Sequence, residues 1–337
     1  MRKRTMCLFI ILLMLILGQA YAQKTIIFAA VLSNKNYVVG AENAPAGVVV
    51  SADSGRSWAR LCWPNCRAFD VAVGEGGRVC YVAGGNGVLK TLNGGITWRV
   101  TTGWEITEVQ DVQVHPDDTS WVSTGTAYGV YVSEDGGNTW EKRNKGLKST
   151  FCSALQVDNF SDQRLWVGTE DGLYYSENRG VQWHTTNLTE TAVRVIIQHP
   201  VKVHNLLAGT EDRGVFISKD NGRSWIPSNR GINELTVYAL CYDPADRRRI
   251  YAGTHGKGVY RSTDGGGTWK RSSRGLTNVV HSLTALPDGS ALYAGTVNHG
   301  VFISRDRGEN WQHTGLEGAQ VWELETLNTE GNINEKQ

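Results

Sequence analysis

The chain has 337 residues, with 34 Lys and Arg against 33 Asp and Glu, a formal net charge of +1. That balance gives no support for nucleic acid or an anionic membrane surface as the main partner. Thirty-nine glycines and 12 tryptophans, set among short apolar segments and turn residues, point to β structure; so long a chain suits one core only if it is a repeat.

The N-terminus fixes the expected compartment. Arg2, Lys3 and Arg4 precede an apolar run from Met6 to Leu17, and Ala20-Tyr21-Ala22 follows. A basic start, a short apolar stretch and a small-x-small site predict a signal peptide over residues 1–22, cleaved before Gln23. The run is short for a bilayer span, and no later stretch is apolar enough to be one. The mature chain is therefore expected to be secreted or periplasmic and not membrane-embedded. Cleavage removes three positive charges and leaves 31 basic and 33 acidic residues, a net charge of −2. Cys62, Cys66, Cys80, Cys152 and Cys241 remain. Cys62-Trp-Pro-Asn-Cys66 is spaced to close a small loop, whereas the other three lie in apolar strand-like segments as small buried hydrophobes.

From residue 51 onwards one short box recurs. SADSGRSW (51–58), TLNGGITW (91–98), SEDGGNTW (133–140), SENRGVQW (176–183), SKDNGRSW (218–225), STDGGGTW (262–269) and SRDRGENW (304–311) share a hydroxyl residue, an acceptor, a glycine and a tryptophan at fixed offsets. The tryptophans stand at 58, 98, 140, 183, 225, 269 and 311, at intervals of 40, 42, 43, 42, 44 and 42 residues. Periods of this size belong to propeller blades of four strands. Before five of the boxes an apolar strand ends in Gly-Thr, as in LWVGTEDGLYYS (165–176), and a glycine turn leads to a second strand. An alternating stretch such as VQDVQVHP (109–116) or VYALCYDP (237–244) lies upstream, and a polar strand such as WEKRNKG (140–146) follows. The prediction is all-β, seven blades of antiparallel strands A to D, with the box in each C–D turn. Asp53, Asn93, Asp135, Asn178, Asp220, Asp264 and Asp306 are its structural acceptors. Asn at two of the seven keeps the acceptor and loses the charge, a change that a turn accepts and a general acid does not.

These segments resemble the Asp-box, or BNR, repeat, Ser/Thr-x-Asp-x-Gly-x-x-Trp, over essentially the whole mature chain. Families similar in this way include bacterial sialidases, xyloglucanases, sortilin ectodomains and photosystem II assembly factors, the last being most alike in layout. The resemblance implies the fold and leaves open enzyme, receptor or assembly factor. Sialidases have six blades and a Phe/Tyr-Arg-Ile-Pro segment; here there are seven boxes, and Ile226-Pro227 follows Trp225 with no arginine. Xyloglucanases face two propellers across a cleft, and this chain supplies one. In the resembling families the box lies on the face away from the usual binding face.

If the C–D turns occupy one face, the B–C and D–A loops form the other, around the mouth of a central channel. The B–C loops bring Tyr128, Glu170 with Asp171, Glu211 with Asp212 and Arg213, His255 with Lys257, and His299 to that face. The D–A connections bring Trp63, Trp104 with Glu105, Lys148, Arg194 and His281. Thr-Glu-Asp stands at the same place in two neighbouring units, 169–171 and 210–212. A glycosidase needs two carboxyls about 5–5.5 Å apart for retention or about 6.5–9.5 Å for inversion, so Glu170, Asp171, Glu211 and Asp212 are the candidates if this is one; ordinary turn composition explains the same residues. Trp63 and Trp104 suit sugar stacking, although packing between blades is the commoner fate of a tryptophan. His255, His281 and His299 match no local metal motif, and no metal or cofactor is expected. The functional expectation is a monomeric scaffold binding a protein on its loop face, with a glycoside hydrolase or carbohydrate-binding module as the alternative.

Two terminal segments compete to complete the first blade. Ile26–Leu32 is expected as its innermost strand, and Val321–Leu327 (VWELETL) is similar to 237–243 but has no assigned place. Residues 23–327 are expected to form the propeller, and 328–337 a polar tail.

Overall fold

A computed structural model describes residues 25–34, 46–62, 66–276 and 279–328. These form 28 strands in seven antiparallel sheets of four. The inner strands are Ala319–Asn328 in blade 1, then Ala68–Gly74, Val109–Val114, Cys152–Val157, Val193–Gln198, Val237–Tyr242 and Val280–Ala285 in blades 2 to 7. Each packs against the next around the ring, and Ala319–Asn328 packs against both Val280–Ala285 and Ala68–Gly74, so the circle closes. Tryptophan, Val, Ile and Leu from facing blades form seven apolar clusters, most of them bridging neighbouring sheets. Trp121 and Trp166 are wholly buried in these seams. Among the described residues no helix is long and apolar enough to cross a membrane.

The closing blade differs from the expectation. Its order is Ala319–Asn328, Thr25–Asn34, Gly47–Ser51, Ala59–Arg60, so both terminal segments belong to it. Ile26–Leu32 is the second strand, and VWELETL takes the innermost place. Burial explains the exchange. The second strand of a blade is covered on both faces, as in Leu165–Thr169, and Ile27–Val31 is likewise buried without a break. An inner strand alternates, as Cys152–Val157 and Ala319–Asn328 do, because its channel side is open. The unbroken IIFAAVL and the alternating VWELETL carry that difference in sequence. Nine positions pair across this junction, from Thr25 opposite Asn328 to Asn34 opposite Ala319.

The boxes make their turns by internal hydrogen bonds. In the first, the Ser51 hydroxyl donates to Asp53 Oδ1 at 2.8 Å and accepts the Gly55 N–H at 2.8 Å, while Asp53 Oδ1 accepts the Ser57 N–H at 2.9 Å. Gly55 takes φ 85°, the left-handed region that a side chain would strain. Asn93 reproduces the frame, accepting from Thr91 and from the Thr97 N–H, and its amide donates to the Thr97 hydroxyl, the reverse of the aspartate boxes. The tryptophans then tie blades together. Indole N–H groups of Trp98, Trp183, Trp269 and Trp311 donate to Leu61, Arg143, Ser228 and Ser272, all backbone carbonyls of the preceding blade, at 2.8–3.0 Å. Cys80 and Cys152 are fully buried, and the Cys62 and Cys66 sulfurs lie 2.8 Å apart, in hydrogen-bond contact. Trp63 lies outside the described residues, as do positions 1–24, which include the expected signal peptide, and 329–337.

Two outcomes follow from closure and turns. Ending the chain at residue 318 strips the inner strand from blade 1 and bares the apolar edge of Thr25–Asn34; the expected result is loss of a cooperative melting transition and aggregation on size exclusion. The second concerns acid. The Thr139 N–H and hydroxyl on Asp135, and the Thr268 hydroxyl and N–H on Asp264, pull these carboxyls from 3.8 down to about 2. A depressed folded value means that their stabilisation is complete above the ordinary value and is lost as pH falls through the folded one. Asp135→Asn with Asp264→Asn should flatten the pH dependence of stability between 3.8 and about 2, measured by urea unfolding.

Candidate functional site

Every inner strand has one irregularity, at the same place. Pairing with the second strand jumps from Ala68 to Asp70, Val109 to Asp111, Cys152 to Ala154, Val193 to Val195, Val237 to Ala239, Val280 to Ser282, and Val321 to Glu323. The residue passed over in such a bulge leaves the ladder, and its side chain is re-aimed. Those residues are Phe69, Gln110, Ser153, Arg194, Tyr238, His281 and Trp322. All seven line a central channel of about 580 Å³. Inner strands begin at the D–A loops, so this ring sits at the loop-face mouth.

Four of the seven form an aromatic arc over adjacent blades. Phe69 meets Trp322 edge-on at 5.8 Å, Trp322 stacks on His281 at 4.0 Å, and His281 stacks on Tyr238 at 4.4 Å. His255, from a B–C loop, adds an edge contact to Tyr238 at 5.8 Å. Burial, helped by His255 and Arg194, drops His281 to about 4, so at neutral pH it is an uncharged ring.

Arg194 stands at the Tyr238 end of the arc, on the adjoining blade. Its Nη1 donates to Glu170 at 2.9 Å and its Nε to Glu211 at 2.6 Å. Burial works against the guanidinium charge, and the two carboxylates outweigh it. The paired Thr-Glu-Asp loops thus converge on one arginine. Asp171 accepts the Tyr174 hydroxyl at 3.2 Å, and Asp212 accepts the Thr191 hydroxyl. All four candidate carboxyls therefore have side-chain partners within the protein.

Below the ring lie carboxyls that the loop reading did not find. The channel side of an inner strand is a free edge, with N–H groups that no ladder satisfies. Asp70 accepts the N–H of Val71 at 2.7 Å and of Val112, on the next blade, at 2.8 Å. Asp111 accepts the Leu155 N–H at 2.8 Å, again one blade on, and Glu323 accepts the Leu324 N–H at 3.0 Å. Burial pushes Asp70 up, and burial together with the Asp70 charge pushes Asp111, Glu323 and Glu325 well up. One Glu325 oxygen is buried with no hydrogen-bond partner.

The remaining loop residues are scattered. Trp104 is 91% exposed on the D–A loop entering blade 3, so it packs into no seam, contrary to the commoner fate of tryptophan. Tyr128 is half exposed on the B–C turn of the same blade. Arg213 donates to the Thr189 carbonyl at 2.8 Å and covers the Phe216 ring. Lys257 is exposed, and its carbonyl accepts from Arg271. His299 is exposed, its Nδ1 3.0 Å from the Val297 carbonyl. None of these five lines the channel. Among the described residues no three His, Cys, Asp or Glu side chains converge as a metal group.

Seven sheets, a box at each C–D turn and one bulge per inner strand settle the architecture. The chain is a seven-bladed Asp-box propeller. The family model described as sortilin, neurotensin receptor 3, matches residues 128–251 of the propeller, and that of the BNR/Asp-box repeat matches 260–271. No curated protein matches the chain. Among solved structures, the propeller is similar to YCF48 bound to D1 peptide (TM-score 0.60, 12% identity, 93% of this chain and 99% of that one) and to YCF48 from Cyanidioschyzon merolae (0.58, 16%, 84% and 96%). It is also similar to the extracellular domain of a one-component system from B. thetaiotaomicron, with a TM-score of 0.63, 15% identity, and 80% of this chain against 38% of that one. An ancestral GH74 enzyme aligns at a TM-score of 0.42 and 22% identity over 75% of this chain, which spans 32% of the enzyme. At these identities the likeness is one of fold.

Substitution separates the two kinds of tryptophan. Trp166→Ala empties a seam and breaks the indole bond to the Asn221 carbonyl at 2.9 Å; it should cost about 3–5 kcal/mol in chemical denaturation. Trp104→Ala should change stability by no more than about 0.5 kcal/mol, since the side chain touches little.

Proposed function

We propose that this propeller is an exported binding scaffold that engages a protein partner through its loop face. The observation that carries this reading is Arg194 clasping both Glu170 and Glu211. A glycosidase needs one carboxyl free to give a proton and another free to attack or to activate water. Here the two equivalent carboxylates are tied to the same guanidinium, a fixed polar feature suited to recognition. The neighbouring arc of rings and the exposed Trp104 and Tyr128 supply the aromatic area by which protein interfaces are anchored. That a YCF48 of the same fold is seen with a bound peptide supports a polypeptide as the class of ligand. On this reading the protein works as a monomer beyond the cytoplasm, after cleavage before Gln23.

The test places a photo-crosslinking amino acid at Trp104 on the loop face and, separately, at Ile96 on the box face, in cells exporting the protein. A discrete protein adduct from position 104 and none from 96 is the expected result. Turnover of aryl glycosides or polysaccharides by the purified chain, abolished by Glu170→Gln or Glu211→Gln, would overturn the scaffold reading and make this a hydrolase.

A further inference from the structure

Five blades share one small device at the start of the third strand, where a valine N–H donates to a side chain 14 residues further on. Val88 donates to Thr102 Oγ1 at 3.2 Å and Val130 to Asn144 Oδ1 at 2.9 Å. Val215 donates to Asn229 Oδ1 at 2.7 Å and Val259 to Ser273 Oγ at 2.8 Å. In blade 1 the same bond runs from Val48 to Cys62 Sγ, at 2.9 Å. The acceptor is an oxygen in four of these blades and a sulfur in the fifth. A thiol is a weak acceptor, and a serine does this work better, as Ser273 does. Holding the turn therefore does not account for a cysteine at position 62.

Its neighbour does. Cys66 Sγ lies 2.8 Å from Cys62 Sγ, so one sulfur donates to the other. Cys62 is buried in the apolar cluster that joins blades 1 and 2, whereas Cys66 is partly exposed. The bond from Cys66, together with the Val48 N–H, outweighs burial and holds the Cys62 thiol below its ordinary value. The same contact and burial push Cys66 up. The inner sulfur thus has the greater thiolate character. Cys80, Cys152 and Cys241 differ: they lie in strands, and burial pushes all three up. A bond between Cys62 and Cys66 would be a poor staple. It would close a very short loop, which removes little chain entropy, and nine pairings in blade 1 already fasten the ring.

We propose that Cys62 and Cys66 form a reversible dithiol–disulfide couple on the loop face, exchanging with the disulfides of small thiols or of dithiol proteins. Cys66, the accessible sulfur, attacks one sulfur of the oxidant, and its proton goes to the thiolate that leaves. Cys62 then attacks Cys66 Sγ, the mixed disulfide breaks, and the second oxidant sulfur departs with the Cys62 proton. One S–S bond is broken and one is formed; two protein thiols are oxidised and the oxidant is reduced to two thiols. Phe69, the first ring of the arc, follows shortly after Cys66 in the chain, with the Arg67 guanidinium 5.5 Å from its centroid. The couple therefore clips or releases the chain just before the channel mouth. It rests on the export reading for where an oxidant is met, though not for the exchange itself.

The test equilibrates purified residues 23–337 with reduced and oxidised glutathione in stepped ratios, quenches with acid, alkylates the unfolded chain and weighs its tryptic peptides. Peptide 61–67, which holds both sulfurs, should pass from doubly labelled to unlabelled. The ratio of disulfide to dithiol should rise about tenfold for each tenfold rise in oxidised glutathione. Return to reduced glutathione should restore both labels, and Cys80, Cys152 and Cys241 should be labelled throughout. Cys62→Ser keeps an acceptor for Val48 and should melt as the parent does, while Cys66 accumulates as the glutathione mixed disulfide, about tenfold above the parent. Cys66→Ser should leave the buried Cys62 unmodified. Double labelling at every ratio, pairing of either sulfur with Cys80, or a bond that reduced glutathione cannot open would each sink the proposal. Acid trapping in exporting cells separates it from the export reading. A pair that cycles in the tube yet stays wholly reduced in cells would count against export and leave the couple standing.

Discussion

A four-stranded sheet in water has two faces to cover, and seven of them can cover one another only if the ring has no gap. Each blade here is too thin to hold a core of its own; its apolar side chains are buried by the next blade. Everything else depends on that closure. It explains why the second strand of each blade is buried on both sides, why tryptophans sit in the seams, and why strands from opposite ends of the chain share a blade. Nine paired positions fasten that blade, where its other junctions have five or fewer.

The architecture was legible because its determinants are local and repeated. A hydroxyl, an acceptor, a glycine and a tryptophan at fixed offsets specify one turn, and seven copies give the number of blades. The substitutions Asn93 and Asn178 were readable as well, since only an acceptor is required at that point. Less legible was anything set by how strands meet. IIFAAVL and VWELETL differ in alternation, which tells a doubly covered strand from one beside a channel, yet distance along the chain suggested the wrong order. The bulges were not visible at all. Nothing in Phe69, Gln110 or Tyr238 marks it as the residue left out of a ladder, and aligning the units on their Gly-Thr pairs would have lined up only the five that have one.

For the same reason the loop-based search found part of the site. It named Glu170, Glu211 and His255, and it brought Arg194 and His281 to the correct face, because these lie in or beside loops. It passed over Tyr238, Trp322 and the channel carboxyls, which sit inside strands where alternating polar residues are ordinary. The reading of Glu170 and Glu211 as a potential catalytic pair turned on a third residue, Arg194, in the adjoining strand. Composition shows that the carboxyls exist; only packing shows what each of them faces.

The fastening of the ring has one more consequence. Thr25 lies opposite Asn328, so the first and last described residues are neighbours. The last strand runs away from the loop face, and the first enters from the side to which the last one runs. Thr25 and Asn328 therefore both lie on the box face, beneath the blades. Whatever is joined to either end, a tether, a surface or another domain, holds the molecule from behind, like a lamp on its stem, with the aromatic opening turned outward.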